Sequence, residues 1–438
     1  MKTRSLILLC FILTHCTYGT DSSEQPQRSK PMWFRVARAK AVARKQLAVD
    51  QSAEVPKDNP DSNQTPVKLR SKKIRLRKNI AEHLKTPLPK ILIFEKTYDF
   101  FDGVPKKFHG FIKKSLKLSN LKNGAKIITS PRLIDSRGHV TEGRIGNIKV
   151  VLKRSKDDTP QNERENFYAF MDVVKQKLRK LAAIENDDTL SDEDKKSRSQ
   201  YIRSQLTGLS NIVPIIGIAK FRQQDESSPE TFIDETVEIL PKVNGYTLRD
   251  CIKKKLPPYD TPRGAPRNQK IAINLLLQLA SAYFTLHSCG YVHNDLNRKN
   301  IMISRNNLTF ALKLIDWGSL MDHPSSKDKK SPDFTSYIYD FNRLFLWILF
   351  GQLLETKISD LLEKHQKNLD EHQAEIFQIE CQNSFIQTGI YSPKVARELA
   401  QLISEMLYNN SNIPSLETIL LRLKALLTEK NENESEKF

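Results

Sequence analysis

The sequence predicts an α+β protein in which a β-rich half precedes a helical half. Between residues 86 and 240, short runs of β-branched residues alternate with Gly, Asn and Pro, a pattern typical of strands and turns. Between residues 241 and 428, apolar residues recur at three- and four-residue steps, as in amphipathic helices. A chain of 438 residues is long enough to bury the core of such a two-lobed domain.

The β-rich half is predicted to contain six strands and one long helix. Four strands precede the helix, KILIFEKTYDFF, AKIITS, GHVTEGRI and IKVVLKR, and two follow it, IVPIIGIAKF and TFIDETVEIL. The helix is ERENFYAFMDVVKQKLRKLA, residues 163–182. The charged stretch ENDDTLSDEDKKSRSQ, residues 185–200, is interpreted as a solvated insertion.

The helical half contains three stretches with helical periodicity, at residues 268–290, 337–354 and 392–408. Between the first two, NIMISRNNLTFALKLID, residues 300–316, predicts a β-hairpin. Residues 429–438 form a charged tail. No apolar run beyond the N-terminus reaches transmembrane length, which predicts a soluble mature protein.

Residues 1–19 have the pattern of a secretory signal peptide. Lys2 and Arg4 supply a basic start, SLILLCFILT an apolar core, and Gly19 a small residue at the cleavage position. We therefore expect a secreted protein, one that could also be delivered into a host cell.

Cleavage of the signal peptide would leave three cysteines, Cys251, Cys289 and Cys381. Their spacing matches neither a disulfide framework nor a metal site. This cysteine usage fits a protein that is exported and then acts in a reducing compartment.

The net charge of +19 favours anionic partners such as phosphorylated ligands, acidic proteins or anionic membranes. Residues 20–85 are rich in Lys and Arg and carry only short apolar groups, which predicts a disordered basic arm. Its stretch MWFRVARAKAVARKQLAV could be a basic helix on an anionic membrane surface, or equally a solvated arm or propeptide. Nucleic acid is not the partner that this pattern favours, and the oligomeric state is left open.

The stretch GYVHNDLNRKNIMI, residues 290–303, interrupts an apolar run with an aspartate and an asparagine five positions apart. Phosphoryl transfer needs a group that orients the acceptor hydroxyl and ligands for a divalent metal. Asp295, on a loop after an apolar helix, could orient the hydroxyl. Asn300 could place its carbonyl oxygen on the metal.

A second candidate metal ligand is Asp316, which emerges from an apolar strand and is followed by Trp317 and Gly318. A turn at that point lets a carboxylate meet a divalent cation. The predicted hairpin would bring Asn300 and Asp316 together.

Lys153 ends the apolar run of IKVVLKR and matches the lysine of a V-A-I-K nucleotide-binding strand. Either Glu163 or Glu165 on the following helix could hold this lysine. Glu163 is preferred, because Phe167 and Phe170 would then face the core at four- and seven-residue steps.

In this order and spacing the motifs resemble those of the eukaryotic-type protein kinase superfamily, over residues from about Ile91 to Leu427. HNDLNRKN resembles the catalytic loop H-R-D-L-x-x-x-N, DWG resembles D-F-G, and Lys153 resembles the strand lysine. The resemblance implies a bilobal protein-kinase-like fold that uses ATP and Mg²⁺, with Mn²⁺ as an alternative metal. TVEILPKVNGYTLRDCI resembles the hinge between lobes, which implies that Glu238 to Leu240 offer backbone groups to adenine. Asp340 resembles an aspartate that braces the catalytic loop.

The chain departs from the kinase pattern at several positions. SPRLIDSRGHV, before Lys153, offers only Gly138 in place of a glycine-rich lid. Asn294 replaces an arginine, which implies activity independent of activation-loop phosphorylation. Asn297 replaces a lysine, which makes Lys299 the candidate source of charge beside the acceptor. The A-P-E motif is absent, and Ile413 stands where its arginine partner is usual.

We therefore expect a secreted, ATP- and Mg²⁺-dependent protein kinase, directed to serine and threonine, that modifies host proteins. Its secreted architecture with a basic arm is similar to that of rhoptry kinases and bacterial effector kinases. Two alternatives are a pseudokinase or scaffold tethered by the basic arm, which the altered lid favours, and a small-molecule kinase, which the short activation segment permits.

Overall fold

The structure is a computed structural model. It describes residues 88–118, 121–133, 140–154, 160–225, 228–306, 309–322, 341, 344–352, 371–408 and 414–428. The predicted signal peptide, basic arm, lid glycine, helix-bracing Asp340, Ile413 and charged tail lie outside these residues. The predicted domain boundaries remain predictions.

A six-stranded antiparallel sheet forms the first half of the fold. Its strands in chain order are β1 (Ile91–Ile93), β2 (Lys126–Leu133), β3 (Val140–Ile145), β4 (Ile148–Arg154), β5 (Gly217–Asp225) and β6 (Ser228–Pro241). Across the sheet the order is β1-β2-β3-β4-β6-β5. Glu95, just after β1, exchanges two backbone hydrogen bonds with Ile218 of β5, at 2.8 and 2.9 Å. The segment around β1 therefore joins both edges of the sheet.

Among the described residues of this half, three helices are present: α1 (His109–Ser115), α2 (Pro160–Glu185) and α3 (Asp192–Gln205). Residues 185–200, predicted to be a solvated insertion, are mostly exposed, and α3 begins inside this segment. Ser191 caps α3 by accepting a hydrogen bond from the Asp194 N–H, and Ile202 is buried in the core. The expected first strand is also shorter than predicted, since it ends at Ile93.

The second half is mostly helical. Its helices are α4 (Leu248–Lys253), α5 (Gln269–Ser288), α6 (Glu371–Gln387), α7 (Pro393–Tyr408) and α8 (Leu416–Thr428), and residues 344–350 are also helical. Its strands are β7 (Gly245–Thr247), β8 (Tyr291–His293), β9 (Ile301–Asn306), β10 (Thr309–Leu314) and β11 (Leu320–Asp322). The α+β class, with a β-rich half before a helical half, is confirmed. Helix α6 was not predicted, because polar residues outnumber apolar ones along it.

The strands of the second half form small sheets that position the loops between them. β9 pairs with β10 and with β7, and β8 pairs with β11. In the β9–β10 hairpin Ile301 lies opposite Leu314, which confirms the hairpin predicted at residues 300–316. The residues just outside this pair, Asn300 and Ile315, are also joined, because the Ile315 N–H donates to the Asn300 carbonyl at 3.0 Å.

Apolar residues pack into two clusters. The smaller lies inside the sheet and includes Ile127, Val150, Leu152 and Ile239. The larger joins α1 and α2 to α5, residues 344–350 and the C-terminal helices. Burial of this surface is the main favourable contribution to folding.

Helix α5 is the most apolar element of the larger cluster. Among the described helices, it alone has the length and composition of a membrane span. The expectation that no apolar run reaches that length is therefore wrong. Within the protein, 56% of its most apolar window is buried, as in the core helix of a folded domain. Cys251, Cys289 and Cys381 are free and buried.

Candidate active site

The site is built around the ammonium group of Lys153, at the end of β4. Lys153 Nζ lies 2.9 and 2.6 Å from the two carboxylate oxygens of Glu163 and 2.6 Å from Asp316 Oδ1. Burial alone would lower the pKa of Lys153, but the carboxylates of Glu163 and Asp316 outweigh it and raise that pKa above its usual value. Lys153 therefore stays charged, and its three protons are all directed to carboxylates.

Glu163 connects Lys153 to the turn that carries Asp316. Its side chain is only 8% exposed, and its Oε1 also accepts the Trp317 backbone N–H at 2.7 Å. Glu163 lies in the first turn of α2, where the helix dipole favours a negative charge. Phe167 and Phe170 are both buried, as their spacing from Glu163 predicts.

Glu165 does not take part in this network. It is exposed on α2, because two helical residues after Glu163 the side chain has turned about 200° around the axis. The alternative assignment of Glu165 as the partner of Lys153 is therefore wrong.

Asp316 has a backbone conformation that is uncommon for residues other than glycine, with φ at +71°. A left-handed conformation of a residue other than glycine carries strain and is concentrated at functional sites. The neighbouring Trp317 is fully buried, and its Nε1 donates to the Val213 carbonyl at 2.8 Å. The centroid of its indole ring lies 5.4 Å from that of Phe167 and 5.3 Å from that of His293. Trp317 thus anchors the turn that Asp316 occupies.

His293 supports the catalytic loop from the core. It is fully buried, and its Nε2 lies 3.2 Å from the Ile315 carbonyl. Burial lowers the pKa of His293, so the ring is neutral near pH 7 and donates from Nε2 to that carbonyl. His293 belongs to the motif that resembles the kinase catalytic loop, but its burial and its contact with the Ile315 carbonyl were not predicted.

The catalytic loop presents Asp295 at the surface. The Asn300 side-chain amide donates to Asp295 Oδ2 at 3.0 Å and to the Asp295 carbonyl at 2.9 Å. Asn297 Nδ2 donates to Asp295 Oδ1 at 2.8 Å. These amides hold the Asp295 carboxylate in one orientation. Lys299 is exposed on the same loop, and its role beside the acceptor remains a prediction.

The prediction that Glu238 and Leu240 offer backbone groups to adenine is wrong. In the β4–β6 ladder Glu238 lies opposite Lys153 and Leu240 opposite Val151. Two residues after Leu240, the Lys242 N–H donates to the Lys149 carbonyl at 3.1 Å. Every second residue of β6 counted back from Lys242 therefore directs its backbone groups to β4. The backbone groups of Glu238 and Leu240 therefore point into the sheet, where β4 satisfies them.

Val243 offers backbone groups that could serve a ligand. It follows β6 and has the opposite phase from Lys242, so its backbone groups point away from β4. Within the described part of the chain, no hydrogen bond is recorded for the Val243 N–H or carbonyl. Val243 is thus the better candidate for adenine than the two residues predicted.

The side chain of Glu238 is an unexpected member of the site. It is 2% exposed, and its Oε1 has no hydrogen-bond partner among the described residues. Burial and the negative charge of Glu163 raise the pKa of Glu238 to about 8, against the opposing charge of Lys153. A glutamate between two buried strand positions, Val237 and Ile239, was the signal in the sequence that could have revealed it.

The residues present fit a nucleotide with a divalent metal. Both amide protons of Asn300 are directed to Asp295, and no partner is recorded for its side-chain oxygen within the described residues. No three His, Cys, Asp or Glu residues of the described part cluster as a self-sufficient metal site. Mg²⁺ commonly takes one or two protein ligands together with substrate phosphates, which Asn300 and Asp316 could provide.

Comparisons with known proteins give partial matches. No protein-family model matches the chain. Over 77 residues, 18% of this chain, it is 38% identical to the chloroplastic serine/threonine-protein kinase STN7 of Arabidopsis thaliana, and the matched region is 13% of that relative. The chain thus spans about one eighth of the length of this curated relative. The solved structure of vaccinia related kinase 3 matches with a TM-score of 0.40 and 15% identity, over 74% of this chain and 95% of that chain.

The arrangement of the strands and helices around the site is that of a protein-kinase-like fold. An antiparallel sheet carries Lys153, the adjacent helix α2 carries Glu163, and the β9–β10 hairpin places Asn300 beside the segment that leads to Asp316. The chain therefore has a bilobal protein-kinase-like fold, with a β-rich N-lobe and a helical C-lobe.

Proposed function

We propose that this protein transfers the γ-phosphate of ATP to hydroxyl groups of proteins. The observation that carries the proposal is the Lys153 ammonium held between Glu163 and Asp316 at 2.6 to 2.9 Å. The two carboxylates thus hold the charge of Lys153 in place before any transition-state charge develops.

Each polar group has a distinct role in this proposal. Lys153 contacts the α- and β-phosphates, and Glu163 holds Lys153 in place. Asn300 and Asp316 hold the metal ion. Asp295 orients the acceptor hydroxyl, because Asn297 and Asn300 fix its carboxylate.

The bound cofactors supply the transferable phosphoryl group and the cation, Mg²⁺ or Mn²⁺, that neutralises its charge. Serine and threonine are the proposed acceptors, since the curated relative is named as a serine/threonine kinase. Lys299, exposed on the catalytic loop, is the proposed source of positive charge beside the acceptor.

The test is transfer of radiolabelled γ-phosphate by residues 20–438 with Mg²⁺ and then Mn²⁺. The acceptors are the protein itself, generic proteins and a panel of metabolites, and the control is Asp295→Asn. Protein labelling that disappears in the control supports the proposal. Labelling of metabolites alone would replace it with a small-molecule kinase.

A second candidate is a nucleotide-binding scaffold. It is favoured by the sequence before Lys153, which offers only Gly138 in place of a glycine-rich lid. A rise in melting temperature with ATP, without labelling of any acceptor, would support the scaffold and contradict the kinase.

We also propose that the protein is exported before it acts. The signal-peptide pattern of residues 1–19 supports secretion, and the basic arm supports contact with an anionic membrane or delivery into a host cell. Sequencing the N-terminus of exported protein tests it, and the expected first residue is Thr20.

A further inference from the structure

The position of helix α2 determines whether Glu163 can reach Lys153. Its inner face packs on the site, with Phe167 5.4 Å from Trp317 and Phe170 5.9 Å from Tyr291, centroid to centroid. Asn166 Nδ2 also donates to the Leu320 carbonyl at 2.7 Å. The outer face of α2 needs separate support, because a helix that is held on one side alone can tilt away.

That support comes from residues 97–116, which we call the strap. The strap begins two residues after Glu95, whose two backbone hydrogen bonds to Ile218 attach it to the far edge of the sheet. It then runs along α2 and ends with α1. Its apolar residues are buried in the cluster that also contains Phe170, Val174 and Leu178 of α2: Phe100, Val104, Phe108, Ile112 and Leu116.

Polar contacts fix where the strap meets α2. Thr97 Oγ1 lies 2.6 Å from the Tyr168 hydroxyl, and the Tyr98 hydroxyl donates to Asp172 Oδ1 at 2.7 Å. Lys175 Nζ donates to the Asp99 carbonyl at 3.2 Å. These contacts cover two turns of α2 that directly follow the turn bearing Glu163.

The ring of Tyr98 is the centre of this contact. It stacks on the Tyr168 ring with centroids 4.5 Å apart and planes at 16°. Lys175 Nζ also lies 4.4 Å from the Tyr98 centroid. Stacking, a cation–π contact and a hydrogen bond therefore meet at one side chain, each with a specific geometry.

We propose that Thr97, Tyr98 and Asp99 are positioning residues that hold α2 where Glu163 reaches Lys153. The phosphate site is thus supported by the chain's own strap, which packs against α2. The inference rests on the proposed function for its catalytic consequence, but the position of α2 can be measured without any activity.

The experiment compares Tyr98→Ala, Tyr98→Phe and Tyr201→Ala with the wild-type chain. Tyr98→Phe keeps the ring and removes the hydroxyl. Tyr201 is 56% exposed on α3 and serves as the matched control. The measurements are amide hydrogen exchange of residues 163–171 relative to α5, ATP affinity, and kcat/KM for phosphate transfer.

For Tyr98→Ala we expect exchange of residues 163–171 to rise about tenfold or more while α5 is unchanged. ATP affinity and kcat/KM should fall with it, Tyr98→Phe should lie between that variant and wild type, and Tyr201→Ala should match wild type. Exchange and affinity that stay at wild-type values in Tyr98→Ala would overturn the proposal.

Two other results of this experiment can also be interpreted. If Tyr98→Ala does not fold, the double variant Thr97→Val, Tyr98→Phe replaces it, and unchanged exchange of residues 163–171 overturns the proposal. If the wild-type chain transfers no phosphate, the proposed function fails, but a rise in α2 exchange in the variant still supports the strap.

Discussion

At the scale of single residues, the site brings one ammonium group and three carboxyl groups into a small volume. Lys153 faces the carboxylates of Glu163 and Asp316, while Glu238 lies nearby without a partner for its Oε1 among the described residues. Removing one partner of a buried charged hydrogen bond costs about 1.5–3 kcal/mol. The four residues should therefore respond very differently to substitution.

Glu163→Gln should reduce transfer activity while preserving the fold. The amide can still accept the Trp317 N–H, but it cannot balance the Lys153 charge, so kcat/KM should fall about 10- to 100-fold. Glu165→Gln is the matched control on the same helix and should have wild-type kinetics. Equal activity of the two variants would contradict the assignment of Glu163.

Glu238 should make stability depend on pH. Its folded pKa of about 8 lies above the usual 4.5, so between those values the folded state binds a proton that the unfolded state has lost. Linkage then requires stability to fall as pH rises through this window. The cause is the burial of Glu238 together with the charge of Glu163.

Glu238→Gln, which mimics the protonated acid, should remove this pH dependence. Its melting temperature should match wild type near pH 5 and exceed it by a few degrees at pH 8 and above. The measurement is a melting curve at each pH, with Glu165→Gln for comparison. Parallel curves for wild type and Glu238→Gln would show that Glu238 titrates normally.

At the scale of elements, the lobes meet through close backbone contacts. The 3₁₀ turn Thr207–Asn211 lies directly against α5. The Gly208 N–H donates to Thr285 Oγ1 at 3.0 Å, and a Cβ on Gly208 would overlap the Ser281 carbonyl oxygen. Glycine is required here by the approach of two backbones.

Gly208→Ala should destabilise the protein by about 1–3 kcal/mol or more, because the overlap can be relieved only by moving one backbone. Gly110→Ala is the matched control. Gly110 lies in α1 with nothing within 4 Å of an added Cβ, so this change should be neutral or should stabilise by up to about 1 kcal/mol. The test is the free energy of unfolding of both variants in urea, and opposite ranking would refute the packing argument.

At the scale of the whole molecule, positive charge is concentrated outside the described fold. Residues 20–85 contain 16 Lys or Arg and seven Asp or Glu, a net +9 of the total +19. Each basic residue near an anionic bilayer contributes about 1 kcal/mol to binding. The basic arm should therefore dominate any contact with a membrane.

Deleting residues 20–85 should lower binding to phosphatidylserine-containing vesicles by about tenfold or more at low salt. High salt should weaken binding of the arm-bearing protein and have little effect on the deletion variant. The measurement is vesicle co-sedimentation, with neutral phosphatidylcholine vesicles as control. Equal binding of both forms would assign membrane contact to another part of the protein.

Local sequence patterns were sufficient to predict the class of the fold and the main polar residues of the site. Periodicity identified the sheet, α2, α5 and the β9–β10 hairpin, because these signals are local and repeat along the chain. Spacing identified Lys153, Glu163, Asn300 and Asp316, because the motifs are short and contiguous.

The contacts that those residues make could be seen only in the folded chain. The strap, the burial of Glu238 and the strand phase that excludes Leu240 as an adenine contact depend on segments distant in sequence, such as Tyr98 and Asp172. Such contacts leave no periodic signal in the chain, since long-range packing selects single side chains for shape and charge. Local patterns therefore predict where the chemistry lies, and three-dimensional packing decides how it is held.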